Sequence, residues 1–134
     1  MENVNQNNLD SENIGKYIKD VQAIPDLTVE EEKELFEKIA KKEDKEAVEK
    51  ITKANLKLVI LIAEGWVNRN PKLNLADLVK EGNYGLLKAI RKFDLKKTES
   101  AKYTFQKYAT WWIREAITRK ITRDYGLDIR VSRK

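Results

Sequence analysis

The sequence predicts an all-α protein, a compact bundle of about five to six helices. Three observations carry this expectation. Two prolines and five glycines among 134 residues leave too little punctuation for an all-β fold. Lys, Glu, Leu, Ile and Ala, which favour helices or suit their faces, dominate the composition. Apolar residues recur at helical spacing behind Ser, Thr, Asp and Asn cap candidates.

Residues 1–11 are polar and Asn-rich, lack periodicity, and read as a disordered tail. A first helix is expected from residue 11 or 12 to about 23, with Ile14, Tyr17, Ile18 and Val21 on one stripe. It ends at Ile24, because the residue before Pro25 is pushed out of the helical region. Thr28 and Glu31 form a capping box for a helix to about 42, with Leu35, Phe36 and Ile39 apolar. Asp44 caps a helix over 45–54, with Ala47, Val48 and Ile51 inward. Residues 55–67 are nearly continuously apolar, which suits a helix buried on most of its circumference.

A loop follows over 68–72, and Asn74 caps a helix over 75 to about 93. Leu78, Val79, Leu86, Leu87 and Ile90 give it an apolar face. Gly82 and Gly85 interrupt that helix. Each costs about 1 kcal/mol against alanine, so the pair implies close packing there. Residues 94–102 form a charged loop. Thr104 caps a last helix to about 123, and residues 124–128 break it. Residues 12–131 thus read as one module, with 132–134 as a basic tail.

Composition excludes several function classes. The chain has no cysteine, hence no disulfide and no thiolate metal site. It has no histidine, the commonest general base. Ser11, Ser100 and Ser132 stand in no nucleophile motif. An enzyme is not expected, nor a metal or organic cofactor. No apolar run reaches membrane-spanning length, and the N-terminus lacks the apolar core of a signal peptide. A cytoplasmic protein without membrane contact is the simplest reading.

The net charge of +5 is unevenly placed. Residues 1–100 carry 18 Lys and Arg against 19 Asp and Glu, whereas residues 101–134 carry 9 against 3. The whole positive excess lies in the segment that holds the adjacent Trp111 and Trp112. Tyr108 precedes them by three and four positions, so at helical spacing the three rings can share a face. Arg114, Arg119, Lys120 and Arg123 follow. Rings beside cations suit unpaired nucleic acid, with bases stacked on the rings and phosphates met by the cations. A core helix with a merely solvated basic face fits the same spacing. The charge polarity suggests a nucleic-acid face at one end and another kind of partner elsewhere.

Several runs together resemble domain 2 of bacterial sigma factors of the sigma-70 class. They are ANLKLV at 54–59, DLVKEGNYGLLKA at 77–89, KFD at 92–94 and YATWWIREAITR at 108–119. Upstream, IGKYIKDV at 14–21, Ile24-Pro25 and LTVEEE at 27–32 resemble the segment that precedes that domain. The resemblance implies an all-helical module that holds the beta-prime clamp helices of core RNA polymerase. It also implies opening of promoter DNA at the minus-ten element, with non-template bases flipped out and captured. An anti-sigma factor is a further partner that it admits.

By the same resemblance, Trp111 matches the wedge at the upstream edge of the bubble, and Trp112 completes the dyad. Tyr108 matches the ring that stacks near the flipped adenine, with Tyr103 and Phe105 in the same recognition segment. For Phe105, core packing is the alternative. Asn55 and Leu58 match a second pocket, for a downstream thymine; Leu58 suits plain core as well. Arg114 and Arg119 would lie along phosphates. Asp77, Glu81, Asn83 and Leu87 match the polymerase-binding face, and Gly82 and Gly85 favour a contact there over a solvated face.

Lys80, on the polymerase face, and Glu115 replace family glutamines. Glu115 can share the DNA-facing side with Trp111 and Thr118, and glutamate only accepts where glutamine also donates. A basic residue near the flipped adenine aligns with Lys97 or Lys102. Ile129 to Ser132 echo a basic family segment, with Ser132 where proline is usual. Two rivals remain. A regulatory decoy would occupy the polymerase clamp without opening promoters. A helix-turn-helix duplex binder would need a polar recognition helix, whereas this one is rich in aromatics.

Overall fold

The computed structural model describes residues 9–42, 44–93 and 104–126. Five helices follow one another: α1 (Ile14–Gln22), α2 (Val29–Lys42), α3 (Lys45–Arg69), α4 (Leu75–Lys92) and α5 (Phe105–Tyr125). No strand occurs among the described residues. The expected all-α architecture is therefore the observed one.

Local side-chain bonds start α2, α3, α4 and α5 where the sequence signals stood, whereas α1 begins at Ile14, two or three residues later than expected, with no side-chain bond from its cap residue Asn13. Thr28 Oγ1 accepts from the Glu31 amide at 3.0 Å, and Glu31 accepts from the Thr28 amide at 2.8 Å. Asp44 accepts from the amides of Glu46 and Ala47. Asn74 and Thr104 accept from the amides of Asp77 and Lys107. Such caps are each worth about 1 kcal/mol. α5 stops at Gly126, whose φ of 70° lies in the left-handed region that glycine enters without penalty.

α3 corrects the expectation of two helices meeting at Asn55. It runs unbroken through 25 residues. Asn55 Nδ2 donates to the Ile51 carbonyl at 2.8 Å, so the polar side chain at the junction is absorbed by the helix itself. Nor is the apolar run buried all round. Leu56, Val59, Ile60 and Ala63 are buried, whereas Leu61 is 67% exposed. The N-terminal tail also differs from expectation. Leu9 is buried in the core, and Ser11 Oγ accepts from Asn74 Nδ2 at 2.9 Å.

α3 touches every other helix, and α4 packs on α3 and most extensively on α5. A Cβ on Gly82 would stand 2.7 Å from Val59 Cγ1 of α3. One on Gly85 would stand 2.5 Å from the Trp112 carbonyl oxygen of α5. The two glycines thus let neighbouring helices approach within the bundle; they do not report the external contact that the sequence reading attached to them. At the far end, the Tyr125 hydroxyl accepts from the Asn74 amide at 3.1 Å and ties the end of α5 to the start of α4.

Candidate nucleic-acid interface

α5 is anchored by Phe105, Ala109, Ile113, Ile117 and Ile121, all buried. A four-residue repeat keeps these positions on one slowly turning face, leaving the others for solvent. The rings divide between the two. Phe105 is 2% exposed and packs against Phe36 and Phe93, at 4.9 and 5.1 Å between centroids. That is a correction: its ring lies within the core, and no base can stack on it in this arrangement. Tyr103 lies outside the described residues, as do Lys97, Lys102 and residues 129–132.

From Phe105 and Phe93 the rings continue outward. Phe93 meets Tyr108 at 5.4 Å, Tyr108 meets Trp112 at 6.3 Å, and Trp112 meets Trp111 edge-on at 5.2 Å. Tyr108 and Trp112 are half-buried, whereas Trp111 is 59% exposed. Lys92 supports this series twice. Its carbonyl accepts from the Tyr108 hydroxyl at 3.3 Å, and its ammonium lies 5.8 Å from the Trp112 ring centroid. The result is an exposed indole backed by progressively more buried rings.

The cations of α5 are less available than their count suggests. Arg119 Nε lies 3.2 Å from Glu115 Oε2. Lys120 Nζ lies 2.6 Å from Asp124 Oδ2, and Arg123 Nε lies 3.0 Å from Asp124 Oδ1. Hydrogen bonds from Lys120 and Arg123 hold the Asp124 carboxyl below its usual range. The same bond to Asp124 raises Lys120, with the charges of Asp77 and Glu81 adding to it. Arg114 is exposed and has no ion-pair partner among the described residues. Thr118 donates its hydroxyl to the Arg114 carbonyl at 2.9 Å.

On α3, Asn55 and Leu58 are both half-buried, and the amide nitrogen of Asn55 is engaged by Ile51. On α4, Asp77, Glu81, Asn83 and Leu87 are half-buried and Lys80 is exposed. Asn83 Nδ2 donates to the hydroxyl of buried Tyr17 at 3.2 Å, so this side chain faces α1. The acids Asp77 and Glu81 lie toward the end of α5, close enough to act on Lys120. Sequence reasoning missed Lys92, Phe93 and Phe36 as supports of the rings, because periodicity within one helix does not reveal a partner on another. It also missed Tyr84, 65% exposed on α4 between Lys80 and Lys88.

Among the described residues no helix is long and apolar enough to cross a membrane. Likewise, no group of three or more His, Cys, Asp or Glu among them is placed to hold a metal ion.

The family model for sigma-70 region 2 matches residues 51–125, which contain α4, α5 and most of α3. An RNA polymerase sigma factor SigA from Clostridium acetobutylicum is 45% identical over 115 residues, covering 86% of this chain. Another, from a Bacillus species, is 40% identical over 115 residues, again 86% of the chain. The chain spans 28% of the length of each of these relatives.

Proposed function

The chain belongs to the sigma-70 region 2 family, and from that premise we propose that it recognises promoter DNA on α5 and core RNA polymerase on α4. The observation that carries the DNA half is Trp111, an indole 59% exposed at the end of a ring series rooted in the core. An exposed ring costs solvation and persists here on a well-packed helix. On a single strand such a ring offers a base a platform worth about 1–3 kcal/mol. Tyr108, half-exposed and next to Trp112 in the series, is the second platform, for a flipped non-template base of the minus-ten element. Arg114, exposed on α5, supplies a cation for phosphate, and Arg119 joins it by exchanging Glu115 for a phosphate oxygen. Asn55 and Leu58 form the second base pocket in this reading, supported by their partial exposure.

The polymerase half assigns the beta-prime clamp helices to the outer side of α4, through Asp77, Lys80, Glu81 and Leu87. Asn83, turned toward Tyr17, supports α1 in this reading. The role is one of binding and strand opening; the polymerase performs the chemistry.

Titration with a single-stranded minus-ten oligonucleotide tests the DNA half. Tryptophan fluorescence should be quenched, and Tyr108→Ala and Trp111→Ala should each weaken binding. Unchanged affinity in both variants, with folding intact, would refute it. A decoy would capture core polymerase and show no such quenching. For the polymerase half, Glu81→Lys with Leu87→Ala should abolish pull-down of core polymerase; full retention by the folded double variant would overturn it.

A further inference from the structure

We propose that Phe36, on α2, is a positioning residue for the DNA-binding rings. The proposal rests on the base-stacking role assigned above to Tyr108 and Trp111. Phe36 is 4% exposed and touches neither ring directly in the series. Its centroid lies 4.7 Å from Phe93 and 4.9 Å from Phe105, and those two lie 5.1 Å apart. The three rings close a triangle contributed by α2, the end of α4 and the start of α5.

Phe93 is the corner that needs holding. It is the C-cap of α4, with extended backbone at φ −71° and ψ 133°, so helical hydrogen bonding no longer fixes it. Its neighbour Lys92 presents the carbonyl that accepts from Tyr108 and the ammonium that lies over Trp112. Phe93 itself contacts the Tyr108 ring. Wherever Phe93 settles, the supports of Tyr108 and Trp112 settle with it. From Phe36 to Trp111 successive ring planes are inclined by 51° to 86°, the tilted and edge geometries that ring quadrupoles favour. Each ring therefore constrains the tilt of the next, as well as filling space. α2 lies wholly outside the segment matched by the family model, so the base of this series comes from beyond it.

The test compares Phe36→Leu, which removes the ring but keeps most of the volume, with Ile121→Val, a core change at the opposite end of α5. Both are measured at a temperature where thermal melts show every variant folded. Phe36→Leu should alter the near-ultraviolet circular dichroism of the tryptophans and weaken single-stranded minus-ten oligonucleotide binding about two- to tenfold, the lower part of the range for residues coupled through shared packing partners. Ile121→Val should change neither. Should Phe36→Leu melt too low, Phe36→Met takes its place under the same two readouts. A parent-like spectrum and affinity, while Tyr108→Ala still weakens binding, would overturn the positioning role and leave the base-stacking reading intact. If Tyr108→Ala and Trp111→Ala also bind like the parent, the base-stacking reading falls and this proposal with it.

Discussion

The two halves of α5, residues 105–112 and 113–125, each turn an apolar stripe inward but finish their outer sides differently. The first half ends in rings whose exposure rises from Phe105 through Tyr108 and Trp112 to Trp111. The second half ends in ions that already have partners, Lys120 and Arg123 sharing Asp124. A ring face open to solvent needs nothing released before a base stacks on it. A paired cation must exchange its carboxylate for a phosphate. That exchange is cheap, because exposed pairs are worth about 0–1 kcal/mol, but it removes much of the apparent advantage of the basic segment. Base capture should therefore depend on the first half, and salt-sensitive backbone attraction on the second.

The largest expected effect comes from the joint between the halves. Gly85→Ala would place a Cβ 2.5 Å from the Trp112 carbonyl oxygen. Backbone atoms cannot swing aside, so overpacking should cost about 3 kcal/mol, with roughly 1 kcal/mol returned by alanine's helix propensity. Chemical denaturation should show a net loss of about 2 kcal/mol. Oligonucleotide affinity should fall as well, because Trp112 is displaced. Parent-like stability would mean that α4 and α5 slide apart freely, and the two halves would then not share one fixed axis.

Next, Trp111→Ala isolates the first half. We expect a loss of about 1–3 kcal/mol in single-strand binding. Folding stability should fall by no more than about 1 kcal/mol, since the ring is mostly solvated and loses one edge contact. A large drop in melting temperature with normal binding would reverse the assignment and make Trp111 structural.

Glu115→Gln probes the second half. It breaks the pair with Arg119 and restores a donor. Affinity for promoter duplex should rise about two- to fivefold at low salt, and the gain should fade as salt rises. Four duplexes differing only at the upstream minus-ten pair, titrated with parent and variant, measure both affinity and preference. Equal affinity and the same rank order would remove Glu115 from DNA reading.

The smallest effect is a pH dependence at Asp124. Its folded carboxyl titrates below the ordinary value of 3.8, through hydrogen bonds from Lys120 and then Arg123. A depressed carboxylate contributes stability above that ordinary value and loses it as pH falls through the folded one. Asp124→Asn should therefore melt slightly below the parent near neutral pH, and the gap should close in the acid range below 3.8. A gap that stays constant with pH would show that the ion pairs add nothing.

Much of the fold was legible beforehand because its signals act over a few residues. Thr28 with Glu31, Asp44, Asn74 and Thr104 are caps whose partners lie two or three positions ahead. The ring cluster of the candidate site was legible in part: Tyr108, Trp111 and Trp112 do lie together at the surface end of a ring series. Phe105 was not separable from them, since its inward direction follows from contact with Phe36 and Phe93 on other helices.

The sequence by itself therefore determined the helical class, nearly all the helix starts and the segment that carries the rings, since short-range hydrogen bonding and periodicity suffice for these. Tertiary structure alone decided that α3 is continuous, that Gly82 and Gly85 admit Val59 and the Trp112 backbone, and that most of α5's cations are paired. Those outcomes depend on how each helix is rotated about its axis against the next. A rotation of one residue position, about 100° of arc, exchanges a buried ring for an exposed one.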